Sequence, residues 1–238
     1  MLKIRPEIVI FDVDGVLVDV RGSFHRTILQ TVRLFTGRRA AYAEIHRWKN
    51  RPGYNDDWKL TTDWIAALGG TVSYAEVKKQ FEKFYWGRNG SGNVKLERWL
   101  VPRTRLRRWG GRAELALFTG RTRLELDHTL RNFQVASYFQ RIVTTSDVAR
   151  PKPDPEGLLR VLDGRDPARA LYLGDNIDDA TSAQRAGVPF IGVLPRGSLA
   201  RRYRVAALRE LGAATILGSA SELEKLWEQD PSPARRRT

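Results

Sequence analysis

The sequence predicts an α/β fold, a doubly wound parallel sheet carrying a small inserted α-helical domain, and three observations predict it. The first is the run Ile8-Val9-Ile10-Phe11, which flows into Asp12-Val13-Asp14-Gly15. Four β-prone apolar residues without alternation read as a strand buried on both faces, as in parallel sheets. The second is an alternation of short apolar strands with helical patterns after about Leu96, the signature of βαβ units. The third is a block of amphipathic helices without any strand pattern between these two regions.

After the first strand, Phe24, Ile28, Val32 and Phe35 recur at helical spacing and Gly37 ends the face. A second helix is predicted near Tyr42–Lys49, stopped by Pro52-Gly53, and a third over Asp57–Leu68, ended by Gly69-Gly70. Ser73 with Glu76 three residues on is a capping box for a fourth, which carries Val77, Phe81 and Phe84. Gly87 to Gly92 is glycine-rich, but no strand precedes it, so it reads as a flexible connection and not a phosphate cradle. Strands follow at Ala113–Thr119, Arg141–Thr144, Ala170–Leu173, Pro189–Val193 and Thr215–Leu217. Helices are expected at Thr122–Phe133, Pro155–Leu162, Ile177–Ala186, Leu199–Leu211 and Ala220–Glu228. The expected division is a core of residues 1–19 and 96–228, a helical cap of 20–95, and a disordered basic tail of 229–238.

Composition narrows the function classes. With 42% hydrophobic residues and seven Trp the chain can build a core. No apolar run reaches the roughly 18 residues of a membrane span, and no secretory signal stands at the start, so a cytoplasmic protein is expected. The absence of Cys excludes disulfides and thiolate metal sites, and His25, His46 and His128 match no zinc spacing. The net charge of +14, from 41 Lys+Arg against 27 Asp+Glu, leaves a polyanion partner open. The Arg clusters do not interleave with aromatics as a single-strand stacking surface would, so nucleic acid is the secondary reading.

Four short motifs carry chemistry. Asp12 and Asp14, two apart at a strand end, point the same way, and the C-terminal ends of strands are where ligands bind in open α/β sheets. Two carboxylates that close stay ionised only beside a cation or donors; hard oxygen ligands suit Mg²⁺. Thr119-Gly120-Arg121 ends another strand, and a Thr hydroxyl with the following Gly and Arg N–H groups offers donors to a phosphate oxygen. Taken alone it is more readily an N-cap and a turn. In Pro151-Lys152-Pro153 two prolines restrain the backbone around one Lys, which fits either a rigid surface turn or a cation aimed at a fixed place. In Gly174-Asp175-Asn176-Ile177-Asp178-Asp179, Asp175 at the strand end can bind a cation and Asp179, one helical turn on, can support it.

The order DxDGV, Thr-Gly-Arg, Pro-Lys-Pro and GDxxxD resembles the signature of the haloacid dehalogenase superfamily of phosphohydrolases, over about residues 8–195. The inserted helices look like the cap of the branch, subfamily IA, that includes phosphoglycolate phosphatase and β-phosphoglucomutase. This resemblance implies that Asp12 is the nucleophile that takes the phosphoryl group and Asp14 the general acid and base. It implies that Mg²⁺ is held by Asp12, the Asp14 carbonyl and Asp175 with Asp179 in support, and that Thr119 and Lys152 contact the phosphoryl oxygens. Members that displace halide generally lack the second Asp, so Asp14 favours phosphoryl transfer over dehalogenation. A cap lysine in the role of Schiff-base former would mean phosphonate cleavage, but nothing around Lys49 or Lys59 marks either for it.

Substrate choice is expected from the segment 49–58, with Arg51, Asn55 and Asp56 as specificity residues and Arg26 or Arg51 as a partner for a substrate carboxylate. The expected function is a Mg²⁺-dependent phosphatase of a small phosphorylated metabolite, phosphoglycolate or a sugar phosphate. A phosphomutase and a nucleic-acid-associated protein stand as the alternatives.

Overall fold

The computed structural model describes residues 5–227. The predicted tail, 229–238, lies outside the described residues. The central strand β1 (Ile8–Phe11) pairs in parallel with β4 (Glu114–Phe118) on one side and β6 (Ala170–Gly174) on the other. With β5 (Arg141–Val143), β7 (Phe190–Val193) and β8 (Thr215–Leu217) they form a six-stranded parallel sheet, in the order β5-β4-β1-β6-β7-β8. The chain leaves β1 toward β4 and β5 and returns on the other side through β6, so the switch in winding falls between β1 and β6. That is the crevice where such sheets bind ligands.

Both faces of β1 are covered, as its lack of alternation predicts. Val9 and Phe11 belong to one buried cluster, Ile8 and Ile10 to the other, and all four are at most 1% exposed. Each such side chain contributes about 1.5–3 kcal/mol by leaving water. Phe11 stacks on Trp109, with ring centroids 5.6 Å apart. Helices α6 (Arg123–Phe133), α7 (Glu156–Leu162), α8 (Ile177–Ala186) and α9 (Leu199–Glu210) follow β4, β5, β6 and β7.

Between β1 and β4 stand α1 (Arg26–Thr36), α2 (Tyr42–Lys49), α3 (Asp57–Ala67) and α4 (Tyr74–Trp86), close to the predicted bounds. Gly37 closes α1 with φ +68°, a value that favours glycine, and Ser73 and Glu76 form the expected capping box of α4. Ile28, Val32, Trp64 and Phe81 of this block share a cluster with Val9 and Phe11, so one face of the sheet and the helical block have a continuous core.

Four features depart from the sequence reading. A two-stranded antiparallel ribbon, β2 (Val18–Asp19) with β3 (Arg98–Trp99), ties the two ends of the helical block together. Residues Arg21–His25 form a π turn ahead of α1. A helix α5 (Arg103–Gly110) occupies a segment read only as scattered arginines; Leu106 and Trp109 are its buried residues, too few to show a periodic stripe. The segment expected as an α-helix from Ala220 is a 3₁₀ turn over Ala220–Lys225. The glycine-rich loop folds back on itself, Gly92 N–H donating to the Trp86 carbonyl at 2.9 Å.

Candidate active site

The four motifs meet at the C-terminal edge of the sheet. Asp12 follows β1 and is held to the neighbouring strand by its N–H, which donates to the Leu173 carbonyl at 2.8 Å. Its Oδ1 accepts from Lys152 Nζ at 2.9 Å, and the same ammonium donates to Asp179 Oδ1 at 2.7 Å and to the Phe118 carbonyl at 3.0 Å. All three donor directions of Lys152 are thereby used, while the faces of Phe118 and Tyr172 lie 4.5 and 5.4 Å away. Tyr172 also donates to Asp179 Oδ1, at 2.7 Å, and Asp179 Oδ2 accepts from the N–H groups of Asp175 and Asn176 at 3.1 Å each. Asp179 is fully buried, so this set of donors is what makes its burial affordable.

Carboxylate oxygens of Asp12, Asp175 and Asp179 lie within 4.8 Å of one another. Asp175 Oδ2 accepts from Arg204 of α9 at 2.9 Å. Gly15 has φ +76°, and a Cβ there would collide with the Asp175 carboxylate, so a glycine is required for the close approach of the two loops. Burial pushes the Asp12 carboxyl well above the usual range, with Lys152 opposing and the neighbouring acids reinforcing the shift. Burial likewise raises Asp175, against the pull of Arg204. Burial alone would lower Lys152, but Asp12 and Asp179 beside it hold its pKa above the ordinary value. Three oxygen donors with this excess of buried negative charge suit a hard divalent cation.

Asp14 stands apart from that cluster. Its Oδ1 accepts from Arg121 Nε at 2.7 Å, and the Arg121 guanidinium continues to Glu97 Oε1 at 2.9 Å, Glu97 Oε2 at 3.2 Å and the Thr129 hydroxyl. Arg121 is 2% exposed. Its side chain is engaged by Asp14 and Glu97, while its N–H, the group expected at the phosphate, donates to Thr119 Oγ1 at 3.2 Å. Burial opposes the charge on Arg121, but Asp14 and Glu97 outweigh it and raise the guanidinium further. Thr119 is buried at the end of β4, and Gly120 and Lys152 line a cavity of about 320 Å³ above Asp12.

The helical block closes over this cavity. The N–H groups of Gly53 and Asn55 donate to the carboxylate of Asp178, at 2.9 and 3.1 Å, pinning the 53–55 segment to the first turn of α8. A Cβ at Gly120 would collide with the Asn55 amide, so the absence of a side chain there admits Asn55. Asp56 caps α3 through Oδ1 and accepts from Tyr74 through Oδ2. Lys49 Nζ lies 2.6 Å from Asp57 Oδ1, both side chains nearly buried. Asn55, Asp56, Asp57 and Trp58 line the cavity. Arg51 does not; its guanidinium stacks on Trp48, 4.7 Å from the ring centroid. Arg26 is exposed on α1 and is likewise not among the lining residues.

Sequence reasoning missed several of these residues. Glu97 lies in a short linker and nothing local marks it. Lys49 and Asp57 were seen, but not their pairing. Arg204 did leave a signal: with Ala200 and Leu208 it occupies the buried stripe of α9 at i, i+4 and i+8, and an Arg in such a stripe needs a buried partner.

Comparison with known proteins gives these likenesses. The pattern described as haloacid dehalogenase-like hydrolase matches residues 110–193. The chain is 30% identical to an imidazoleglycerol-phosphate dehydratase of Phytophthora nicotianae over 224 residues, which cover 87% of the chain and 49% of the relative; it spans about half of that protein. It is 26% identical to a phosphoglycolate phosphatase of Pseudomonas putida, over 79% of the chain and 69% of the relative. Among solved structures, a subfamily IA haloacid dehalogenase hydrolase from Geobacter sulfurreducens matches at 27% identity with a TM-score of 0.57, covering 95% and 100% of the two chains. A hydrolase from Pseudomonas syringae matches in fold with a TM-score of 0.71 at 19% identity, covering 92% and 96%.

Proposed function

We propose that this chain, haloacid dehalogenase-like by its pattern match and its fold, is a divalent-metal-dependent phosphatase of a small phosphate ester. The observation that carries the reading is one buried lysine, Lys152, bridging Asp12 and Asp179 beside Asp175 at the end of the central strand.

In this reading Asp12 attacks phosphorus and forms an aspartyl-phosphate as the P–O bond to the leaving alcohol breaks. Lys152, fixed by Asp12, Asp179 and the Phe118 carbonyl, places its charge where the phosphoryl oxygens gather negative charge. Thr119 and the Gly120 N–H would cradle those oxygens. Asp14, held by Arg121, protonates the leaving oxygen and then takes a proton from the water that hydrolyses the intermediate. Asp12, Asp175 and the Asp14 carbonyl would hold Mg²⁺, with Asp179 in support, and the ion would neutralise charge on the phosphoryl group. Positioning and charge stabilisation are the main demands of phosphoryl transfer, and this ring of groups supplies both.

The helical block acts in this proposal as a cap, with the 53–55 segment and Asp178 as its closed contact. The test is hydrolysis of p-nitrophenyl phosphate with and without Mg²⁺, and of a panel including phosphoglycolate and imidazoleglycerol phosphate, the compound named for the Phytophthora relative. The expected result is Mg²⁺-dependent turnover that Asp12→Asn abolishes. Turnover surviving in Asp12→Asn, or no turnover of any ester, would overturn the reading.

A further inference from the structure

Four buried side-chain polar atoms lack a hydrogen-bond partner among the described residues: Asn50 Oδ1, Asp57 Oδ1, Trp58 Nε1 and Arg204 Nε. Buried polar atoms are almost always satisfied, so a cluster of exceptions marks a place where something else bonds. Three of the four fall within residues 50–58, and two of these, Asp57 and Trp58, line the cavity above Asp12. Asp57 Oδ1 faces Lys49 as an ion pair at 2.6 Å without an aligned hydrogen bond. The pair stands where this cavity meets a second one of about 550 Å³; Asp14, Lys49, Asp57 and Asp175 line both. It is therefore beside the acid that would protonate the leaving oxygen.

The charges around the cavity limit what can sit there. Its lining cations are Lys49, Lys59, Arg121 and Lys152, and each already faces a carboxylate: Asp57, Asp63, Asp14 and Asp12 respectively. Lys152 belongs to the phosphoryl position. Asp56, Asp57 and Glu125 add negative charge to the lining. A second anionic group on the substrate would meet no unpaired cation and would be repelled by these acids. A hydroxyl, by contrast, donates to Asp57 Oδ1 and accepts from Lys49 Nζ or Trp58 Nε1.

Resting on the phosphatase reading above, we infer that Lys49, Asp57 and Trp58 form a leaving-group subsite that selects phosphate monoesters of uncharged, hydroxyl-bearing alcohols and rejects carboxylated esters. The substrate class is thus a polyol or sugar phosphate and not phosphoglycolate. When the hydroxyl is missing, Trp58 Nε1 is left without an acceptor and Lys49 and Asp57 hold only each other; a buried polar group left unpaired discriminates strongly.

The experiment compares kcat/KM for glycerol 3-phosphate, ribose 5-phosphate, phosphoglycolate and p-nitrophenyl phosphate, in the full chain with Mg²⁺. The wild type is expected to favour at least one of the two polyol esters over phosphoglycolate by about tenfold or more. Asp57→Asn leaves Lys49 unpaired, and the polyol-to-phosphoglycolate ratio should fall at least about tenfold. Trp58→Phe removes the N–H together with part of the ring, and should lower the polyol-to-p-nitrophenyl ratio about threefold or more; it carries the test if Asp57→Asn fails to fold. A wild type that turns over p-nitrophenyl phosphate but prefers phosphoglycolate overturns this subsite alone, as do unchanged ratios in both variants. Failure to turn over p-nitrophenyl phosphate or any other ester overturns the phosphatase reading and the subsite with it.

Discussion

Replacing Glu97 by Gln tests how much the fold and the site rest on one buried acid that no motif announces. The Glu97 side chain is 2% exposed and accepts from four donors. Tyr85 hydroxyl reaches Oε1 at 2.9 Å and Thr129 hydroxyl Oε2 at 2.9 Å; Arg121 reaches Oε1 and Oε2 at 2.9 and 3.2 Å. Arg121 faces both carboxylate oxygens and can only donate, so a Gln amide nitrogen meets a guanidinium N–H in either orientation. The substitution also leaves Arg121, fully enclosed, with Asp14 as its one charged partner. Breaking a buried ion pair from one side costs about 3–5 kcal/mol, and all four bonds here end on the carboxylate, two of them from a guanidinium, which places Glu97→Gln at the upper part of that range. Urea unfolding at pH 7 should show a lower midpoint at unchanged m-value. Arg121 also orients Asp14, so kcat for p-nitrophenyl phosphate should fall about 10- to 100-fold in the folded variant. A stability loss under about 1 kcal/mol, with kcat intact, would refute the reasoning that Tyr85 of the helical block, Glu97, Arg121 and Asp14 act as one connected support.

Two further outcomes follow from the geometry. Burial, with Arg204 and Lys49 in support, pushes His46 down to about 3 from its ordinary 6.5. Its neutral form is therefore favoured by folding, and the stabilisation is present above pH 6.5 and lost as pH falls through the window from 6.5 toward 3. The loss between pH 7 and pH 5 is about 2 kcal/mol from this residue, and urea melts should show His46→Gln to be less acid-sensitive than the wild type by about that amount. Asp178→Ala removes the acceptor for the Gly53 and Asn55 N–H groups, worth about 1–3 kcal/mol of loop closure; KM for p-nitrophenyl phosphate should rise about tenfold or more with a smaller change in kcat, and an unchanged KM would show that the 53–55 contact does not hold the closed form.

Much of the fold and the gathering of Asp12, Lys152, Asp175 and Asp179 was legible because both are written in local patterns. Ile8–Phe11 is apolar at every position because a central parallel strand has two covered faces. Asp12, Thr119, Lys152 and Asp175 stand at strand ends or in a proline-restrained loop, where position along the chain already implies direction. Helices α1 to α4 carry their own stops and caps, Gly37 and the Ser73–Glu76 pair among them. Segment α5 escaped notice because its six polar and glycine positions drown the two buried ones, and the β2–β3 ribbon because two residues per strand carry no periodicity.

The chain's order of residues determined the sheet, the inserted helices and the set of acids and lysine at the strand ends, since each depends on neighbours within a few positions. Tertiary structure alone decided that the Arg121 side chain turns to Asp14 and Glu97, that Asp178 holds a segment 125 residues distant, and that Lys49 pairs with Asp57 near the acids at the strand ends. Those are pairings between charges far apart in sequence. Coulomb attraction and burial choose among many candidate partners only after folding has placed them within a few ångströms, so no local pattern records the choice.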